Sequence, residues 1–212
     1  MGLGGIGKTT IVNVVSNEIS RHFEGCSFLE NVRDTSLITL QNQLLSEILK
    51  GVRFSITNKG KGINMIKERL SKKKVLVILD DVDKNSEDAL VGKCDWFYLG
   101  SRIIITTRNK QILHHHGVDE IYEPPKMDAK QSLQLFSRCA FKIDEIPEDY
   151  LDLPKNITKE IGGLPLALEV IDSSLFGMEK SFWQDTLEML QNHILDAEIL
   201  IKLKISFDGL TY

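Results

Sequence analysis

Cysteine is scarce in this chain, and its three cysteines, Cys26, Cys94 and Cys139, lie far apart. An odd number of scattered cysteines is typical of reduced thiols, so we expect a cytosolic or nuclear compartment. No apolar run comes near the roughly 20 residues that a membrane-spanning helix needs. The N-terminus is glycine-rich and carries an early Lys8, so we expect that it is not a signal peptide.

An excess of charge of one sign is also lacking. The chain has 26 basic and 30 acidic residues, a net charge of −4, which gives no electrostatic case for binding nucleic acid. Internal repeats and low-complexity tracts are absent. With 42% hydrophobic residues and 26% charged residues over 212 positions, the composition predicts a globular chain of one large domain, or of one and a half smaller ones.

Glycine, in contrast, is concentrated at the start. Residues 2–10 read G-L-G-G-I-G-K-T-T and contain the pattern G-x-x-x-x-G-K-[ST] of phosphate-binding loops. Such a loop turns its backbone N–H groups toward a polyphosphate, which needs conformations that glycine adopts at low cost. We expect Lys8 to reach the β- and γ-phosphates and Thr9 to offer its hydroxyl to Mg²⁺.

The residues on either side of the loop fit this interpretation in one respect and depart from it in another. Apolar residues from Ile11 to Ile19 recur at helical spacing, so the loop is predicted to open a helix whose positive end faces the phosphates. Such a loop normally follows a buried strand, yet only Met1 precedes it here. The expectation is a fragment that lacks the first strand of its sheet.

Strands and helices then alternate. Segments 26–32, 75–83 and 101–108 have the composition of strands, the last two of buried parallel strands, and 120–123 is a fourth candidate that ends at Pro124. Two amphipathic helices are predicted near 40–49 and 63–70. The pattern favours an α/β fold with a parallel sheet.

Charged residues follow two of the predicted strands. Asp80 and Asp81 end the second, and Arg108 ends the third. Ligands of open α/β sheets bind at the carboxyl ends of the strands. We therefore expect Asp80 to hold Mg²⁺, Asp81 to orient or deprotonate the attacking water, and Arg108 to sense the γ-phosphate.

From Asp128 onward the apolar spacing predicts helices only. The predicted domains are a nucleotide-binding domain at 1–126, a helical domain at 127–200 and the start of a further region at 201–212. In the segment G-G-L-P-L-A-L, Pro165 falls in the first turn of a helix, where its missing N–H costs little.

Together these segments resemble the NB-ARC domain of plant intracellular disease-resistance proteins. The motifs that carry the resemblance are G-L-G-G-I-G-K-T-T, F-L-E-N-V-R-D, V-L-V-I-L-D-D-V-D, G-S-R-I-I-I-T-T-R and G-L-P-L-A-L. Five motifs in order span nearly the whole chain. The resemblance implies a P-loop sheet followed by a helical domain, and a switch that is off with ADP and on with ATP, with hydrolysis as a timer.

The resemblance also assigns residues. Phosphates and Mg²⁺ are bound by Gly4, Gly5, Gly7, Lys8, Thr9 and Thr10. Asp80 and Asp81 become the Walker B acids, with Asp80 and Thr9 on the metal, Arg108 becomes the γ-phosphate sensor, and Pro165 lies against the adenine.

Asp83 and the F-L-E-N-V-R stretch are similar to the class with an N-terminal TIR domain and C-terminal leucine-rich repeats, which implies both as partners in a longer protein, together with self-association. The segment 205–210 stands at the entrance to the winged-helix region, so the Met-His-Asp motif that closes over ADP in this family is absent. The segment Tyr98-Leu99-Gly100 replaces a usual Gly-Pro-Gly.

The sequence leaves two other interpretations of the function open. One is a metabolic or signalling P-loop enzyme, although the guanine motif N-K-x-D of GTPases does not occur. The other is a non-catalytic scaffold, or a partial fragment with weak or no nucleotide binding, which the intact Lys8, Thr9, Asp80 and Arg108 disfavour and the missing first strand favours.

Overall fold

In the computed structural model, the described residues are 1–50, 54–83, 88, 90–92, 96–115, 117–141, 150 and 152–192. Their contacts divide them into a first unit, Met1–Gly2 with Lys8–Glu123, and a second, Leu3–Gly7 with the described residues from Pro124 onward. The domain boundaries at 126 and 200 stay predictions. Cys94 and the segment 201–212 lie outside the described residues.

A three-stranded parallel sheet, in the order β1-β2-β3, forms the centre of the first unit as described. The strands are β1 (Gly25–Leu29), β2 (Val75–Val82) and β3 (Arg102–Thr107). Ile78 is opposite Phe28 on one side and opposite Ile104 on the other. The predicted α/β class with a parallel P-loop sheet is confirmed.

Strand β2 lies in the middle of this sheet, and its residues from Val75 to Asp80 are all buried. A strand covered on both faces needs the continuous apolar run that the sequence has here. The ladder between β2 and β3 is irregular between Leu79 and Val82. The two acids of the sequence motif therefore stand where regular pairing stops.

Two expectations about the sheet need correction. β3 was expected to be fully buried, but its residues 103–105 are only half-buried, because β3 pairs only with β2 among the described strands. Residues 120–123 are not a strand. The backbone bond recorded there runs from the Met1 ammonium to the Tyr122 carbonyl, at 2.6 Å, and a strand needs a ladder of such bonds.

The helices of the first unit, as described, are α1 (Lys8–Ile19), α2 (Leu37–Ile48), α3 (Lys59–Leu70) and α4 (Lys110–His115). Side-chain caps start two of them. Ser36 accepts the N–H of Thr39 at α2, and Asn58 accepts the N–H of Gly60 at α3. Both helices bury apolar side chains in the core that surrounds β2.

Helix α1 forms as predicted but buries none of its residues. Its apolar residues Ile11, Val14 and Val15 are 36%, 55% and 38% exposed. Helical spacing alone predicts that a helix forms, whereas the burial of its apolar face depends on the surface that it meets.

The second unit is helical in its described part, as predicted. Its helices are α5 (Ala129–Phe141), α6 (Asp152–Ile161), α7 (Pro165–Leu175) and α8 (Lys180–Gln191). Trp183 anchors the core: it stacks on Phe141, meets Phe136 edge to face, and donates its indole N–H to the Leu175 carbonyl at 3.2 Å. No described helix of either unit combines the length and the apolar character needed to cross a membrane.

Candidate functional site

A hydroxyl–carboxylate network joins the start of α1 to the end of β2. Thr9 donates its hydroxyl to the carboxylate of Asp80, with distances of 3.1 and 2.9 Å to the two oxygens. Thr106 of β3 donates to the same carboxylate at 2.6 Å. Asp80 is only 4% exposed, and a buried carboxylate needs such donors. The predicted metal pair, Thr9 and Asp80, is thus in direct contact.

Lys8 is the first residue of α1. Its ammonium group donates to the Gly2 carbonyl at 3.0 Å. Burial and the nearby Arg108 guanidinium lower the pKa of Lys8 below its ordinary value, while Asp81 and Asp80 act in the opposite direction. The lysine therefore stands among charges of both signs.

Asp81 has an unusual backbone for a residue other than glycine, with φ of +55°. Aspartate tolerates this left-handed conformation better than most residues. Its N–H donates to the hydroxyl of Thr106 at 2.9 Å. The same threonine thus holds the side chain of Asp80 and the backbone of Asp81.

The carboxylate of Asp81 lies between two guanidinium groups. Arg33 Nη2 is 2.6 Å from Oδ2, and Arg108 Nε is 3.7 Å from Oδ1. The first distance is that of a short charge-assisted hydrogen bond, and the second is that of a loose ion pair. Each arginine faces a different oxygen of one carboxylate.

Residues of the glycine loop belong to the second unit. Gly5 and Gly7 have φ of +74° and +87°, and residues other than glycine rarely adopt such backbone angles. Ile6 is buried in the helical core, and the Gly5 carbonyl accepts the N–H of Leu166 at 3.1 Å. The loop is therefore tied to the first turn of α7, beside Pro165.

Pro165 is in the first turn of α7, as the sequence predicts. Two glycines lead into this helix with positive φ, +71° at Gly162 and +74° at Gly163. The Gly163 carbonyl accepts the N–H of Met127 at 2.9 Å. The segment before Pro165 is thus held by the chain that enters the helical unit.

Taken unit by unit, the structure brings together most of the predicted site residues. The first unit gathers Lys8, Thr9, Asp80, Asp81 and Arg108, while Gly4, Gly5, Gly7 and Pro165 belong to the second. Thr10 is in the first turn of α1 with an exposed side chain.

Sequence reasoning missed Arg33 and Thr106. Arg33 stands in the F-L-E-N-V-R-D motif but was given no role, and Thr106 was taken only as a strand residue. Their position in the sequence could have indicated a role, since both residues lie at the carboxyl end of a strand that is a neighbour of β2.

The chain is similar to known proteins. The model of the NB-ARC domain family matches residues 1–145. The chain is 43% identical to the disease resistance protein RUN1 of Vitis rotundifolia, over 99% of this chain and 16% of that protein. It is 37% identical to the TMV resistance protein N of Nicotiana glutinosa, over 99% of this chain and 19% of that protein.

A third relative is the disease resistance protein RPS6 of Arabidopsis thaliana, which is 35% identical over 99% of this chain and 19% of that protein. The chain thus spans less than a fifth of the length of each of these relatives.

Proposed function

Because the chain belongs to the NB-ARC family of nucleotide-binding domains, we propose that it is the ADP/ATP switch of a plant intracellular immune receptor. ADP holds the off state, ATP holds the on state, and slow hydrolysis of ATP resets the switch. The observation that carries the proposal is the cluster of Lys8, Thr9, Asp80, Asp81 and Arg108 in the first unit. It combines cations for phosphates with oxygen donors for a metal.

Phosphates and Mg²⁺ would be held at the start of α1. Lys8 and the backbone N–H groups of the loop, from Gly4, Gly5 and Gly7 to Thr10, are donors of the kind that bind polyphosphates. Thr9 and Asp80 supply the oxygen ligands that Mg²⁺ prefers, and they already converge within 3.1 Å. When bound, the ion would neutralise charge on the β- and γ-phosphates.

Arg108 would distinguish ATP from ADP. Its side chain is 48% exposed and its contact with Asp81 is a loose 3.7 Å, so that pair contributes about 0.2–1 kcal/mol. A charge-assisted bond to a γ-phosphate contributes about 1.5–3 kcal/mol. Arg108 therefore gains free energy by leaving Asp81 for the phosphate, and this gain is absent with ADP.

Asp81 would act on the attacking water. The ion pair recorded for Oδ1 is the loose one with Arg108, so the release of Arg108 would open an acceptor for the water proton. Pro165 would contact the adenine from the start of α7, where the neighbouring Leu166 N–H holds Gly5 of the loop. In the longer receptor, TIR and leucine-rich-repeat domains and further copies of the chain would be the partners, in the cytosol or nucleus.

Calorimetric titration of an Arg108→Ala variant tests the sensor. We expect ATP affinity to fall about tenfold or more, since the lost bond is charge-assisted, with little change for ADP. Arg102→Ala removes an exposed arginine of β3 and is the matched control. Equal losses for both nucleotides would remove the sensor role. A folded wild-type chain that binds neither nucleotide would favour the scaffold.

A further inference from the structure

Arg33 carries no role in the function proposed so far, yet it makes the shortest ion pair recorded among the described residues. Its Nη2 lies 2.6 Å from Asp81 Oδ2, and its Nε lies 3.9 Å from Asp83 Oδ2. The side chains of Arg33 and Asp81 are 31% and 25% exposed. The pair is therefore partly shielded from water, which strengthens it relative to a surface pair.

The chain directs Arg33 to this place through its neighbours. Val32 is 1% exposed and belongs to the core around β2, and its N–H donates to the Asp80 carbonyl at 3.0 Å. Asn31, with φ of +48°, turns the chain just before it. Arg33 is thus fixed next to the acids by a buried side chain and a backbone hydrogen bond.

Asp81 is the acceptor that Arg33 and Arg108 share. Thr106 holds its backbone through the 2.9 Å bond to the N–H, so the carboxylate stays between the two guanidinium groups. An anion that is already neutralised by one cation attracts a second cation less strongly. The tight pair with Arg33 therefore weakens the hold of Asp81 on Arg108.

We propose that Arg33 is a positioning residue that sets the preference between ATP and ADP by competing with Arg108 for Asp81. The inference rests on the proposed function, because it needs Arg108 to sense the γ-phosphate. With Arg33 in place, Asp81 is neutralised and Arg108 is free to move to the phosphate. Without Arg33, Asp81 retains Arg108 and repels the γ-phosphate, so ATP loses affinity and ADP does not.

The test is a double-mutant cycle on the full chain, in which the ratio of ATP affinity to ADP affinity is measured by calorimetry with Mg²⁺. Arg33→Ala should lower the ratio about twofold to fivefold, the range of a partly exposed ion pair. In an Asp81→Asn background, which keeps the left-handed backbone because asparagine tolerates it, Arg33→Ala should leave the ratio unchanged.

Two further variants control for charge and for folding. Arg33→Lys keeps a cation at Asp81 and should retain most of the ratio, although a lysine cannot reproduce the planar guanidinium. Arg21→Ala removes an exposed arginine outside the site and should leave the ratio unchanged. If Arg33→Ala does not fold by circular dichroism, Arg33→Gln replaces it. Because both affinities are measured on the same preparation, their ratio does not depend on the fraction of each variant that is active.

The outcomes separate this inference from the proposed function. A ratio that Arg108→Ala lowers and Arg33→Ala does not would overturn the role of Arg33 alone. An equal effect of Arg33→Ala in both backgrounds would also overturn it, since Arg33 would then act on the phosphate itself. A ratio that Arg108→Ala leaves unchanged would overturn the sensor, and with it the inference.

Discussion

At the scale of single residues, the proposed contact of Lys8 with phosphate leads to the most direct prediction. It is half-buried among Asp80, Asp81 and Arg108, whose charges act on its pKa in opposite directions. We propose that a polyphosphate pairs with Lys8 and Arg108, two cations of this cluster.

Lys8→Ala should therefore abolish measurable ADP binding in a calorimetric titration. Lys72→Ala, which removes an exposed lysine outside the site, is the matched control and should bind as the wild type does. Unchanged ADP affinity in the folded Lys8→Ala variant would contradict the assignment of residues 2–10 as a phosphate-binding loop.

The sequence predicted residues of this cluster better than their contacts. The loop motif identified Lys8 and Thr9, and the acids that end β2 identified Asp80 and Asp81. The contact between Thr9 and Asp80 could be anticipated only from the expectation that both residues lie at the carboxyl edge of the sheet, where ligands of parallel sheets bind. The pairing of Arg33 with Asp81 was not predictable, because it depends on a positive φ at Asp81 and on a turn at Asn31, and spacing reveals neither.

At the scale of elements, the entry into α7 offers a matched pair of glycines. Both Gly162 and Gly163 have positive φ. A Cβ on Gly163 would clash with the Met127 carbonyl oxygen, whereas a Cβ on Gly162 would meet nothing within 4 Å. A side chain would therefore strain the backbone at both positions, but only at Gly163 would it also lack room.

Gly162→Ala should lower the free energy of unfolding by about 1–2 kcal/mol, the cost of a left-handed side chain. Gly163→Ala should cost clearly more, because it also displaces the segment at Met127 and its hydrogen bond. Urea denaturation followed by circular dichroism compares the two. Similar losses for both variants would contradict the close approach of Met127 to Gly163.

Helix α7 also buries a carboxyl group. Asp172 is fully buried, and its Oδ2 has no hydrogen-bond partner among the described residues. Burial raises the pKa of Asp172 from 3.8 to about 6, against the opposing hydrogen bonds from Cys139 and Ser173. The folded chain therefore binds the proton of Asp172 more tightly than the unfolded chain.

This pKa shift gives stability a defined pH dependence. The contribution of Asp172 is fully present below the unfolded pKa and is lost as pH rises toward the folded pKa, by about 3 kcal/mol in all. The free energy of unfolding should thus fall between about pH 4 and pH 7. Asp172→Asn should remove this part of the slope in urea titrations at several pH values. A slope that Asp172→Asn leaves unaltered would contradict the shift.

Predictions of elements succeeded where local pattern decides and failed where neighbours decide. The continuous apolar run of β2 and the helical spacing of α2 and α3 were sufficient, since these segments form the core of the first unit. Residues 120–123 have a strand composition but no ladder. Helix α1 has apolar residues at helical spacing but no buried residue, because burial depends on the surfaces around a helix and not on its own sequence.

At the scale of the whole molecule, the chain belongs to the NB-ARC family, and its described residues divide into a sheet unit and a helical unit. The loop residues Leu3–Gly7 are grouped with the helical unit, and Lys8 is grouped with the sheet. Sequence motifs identified the family, since five of them occur in order. The grouping of the loop was not predictable, because it depends on the burial of Ile6 and on the bond between Leu166 and Gly5.

The most direct test of the central claim is a calorimetric titration of the folded wild-type chain with ADP, ATP and GTP in the presence of Mg²⁺. Circular dichroism on the same preparation establishes that the chain is folded. The account predicts that ADP and ATP bind and that GTP binds far more weakly. Preference for GTP, or no binding of any nucleotide by the folded chain, would contradict an adenine-nucleotide switch.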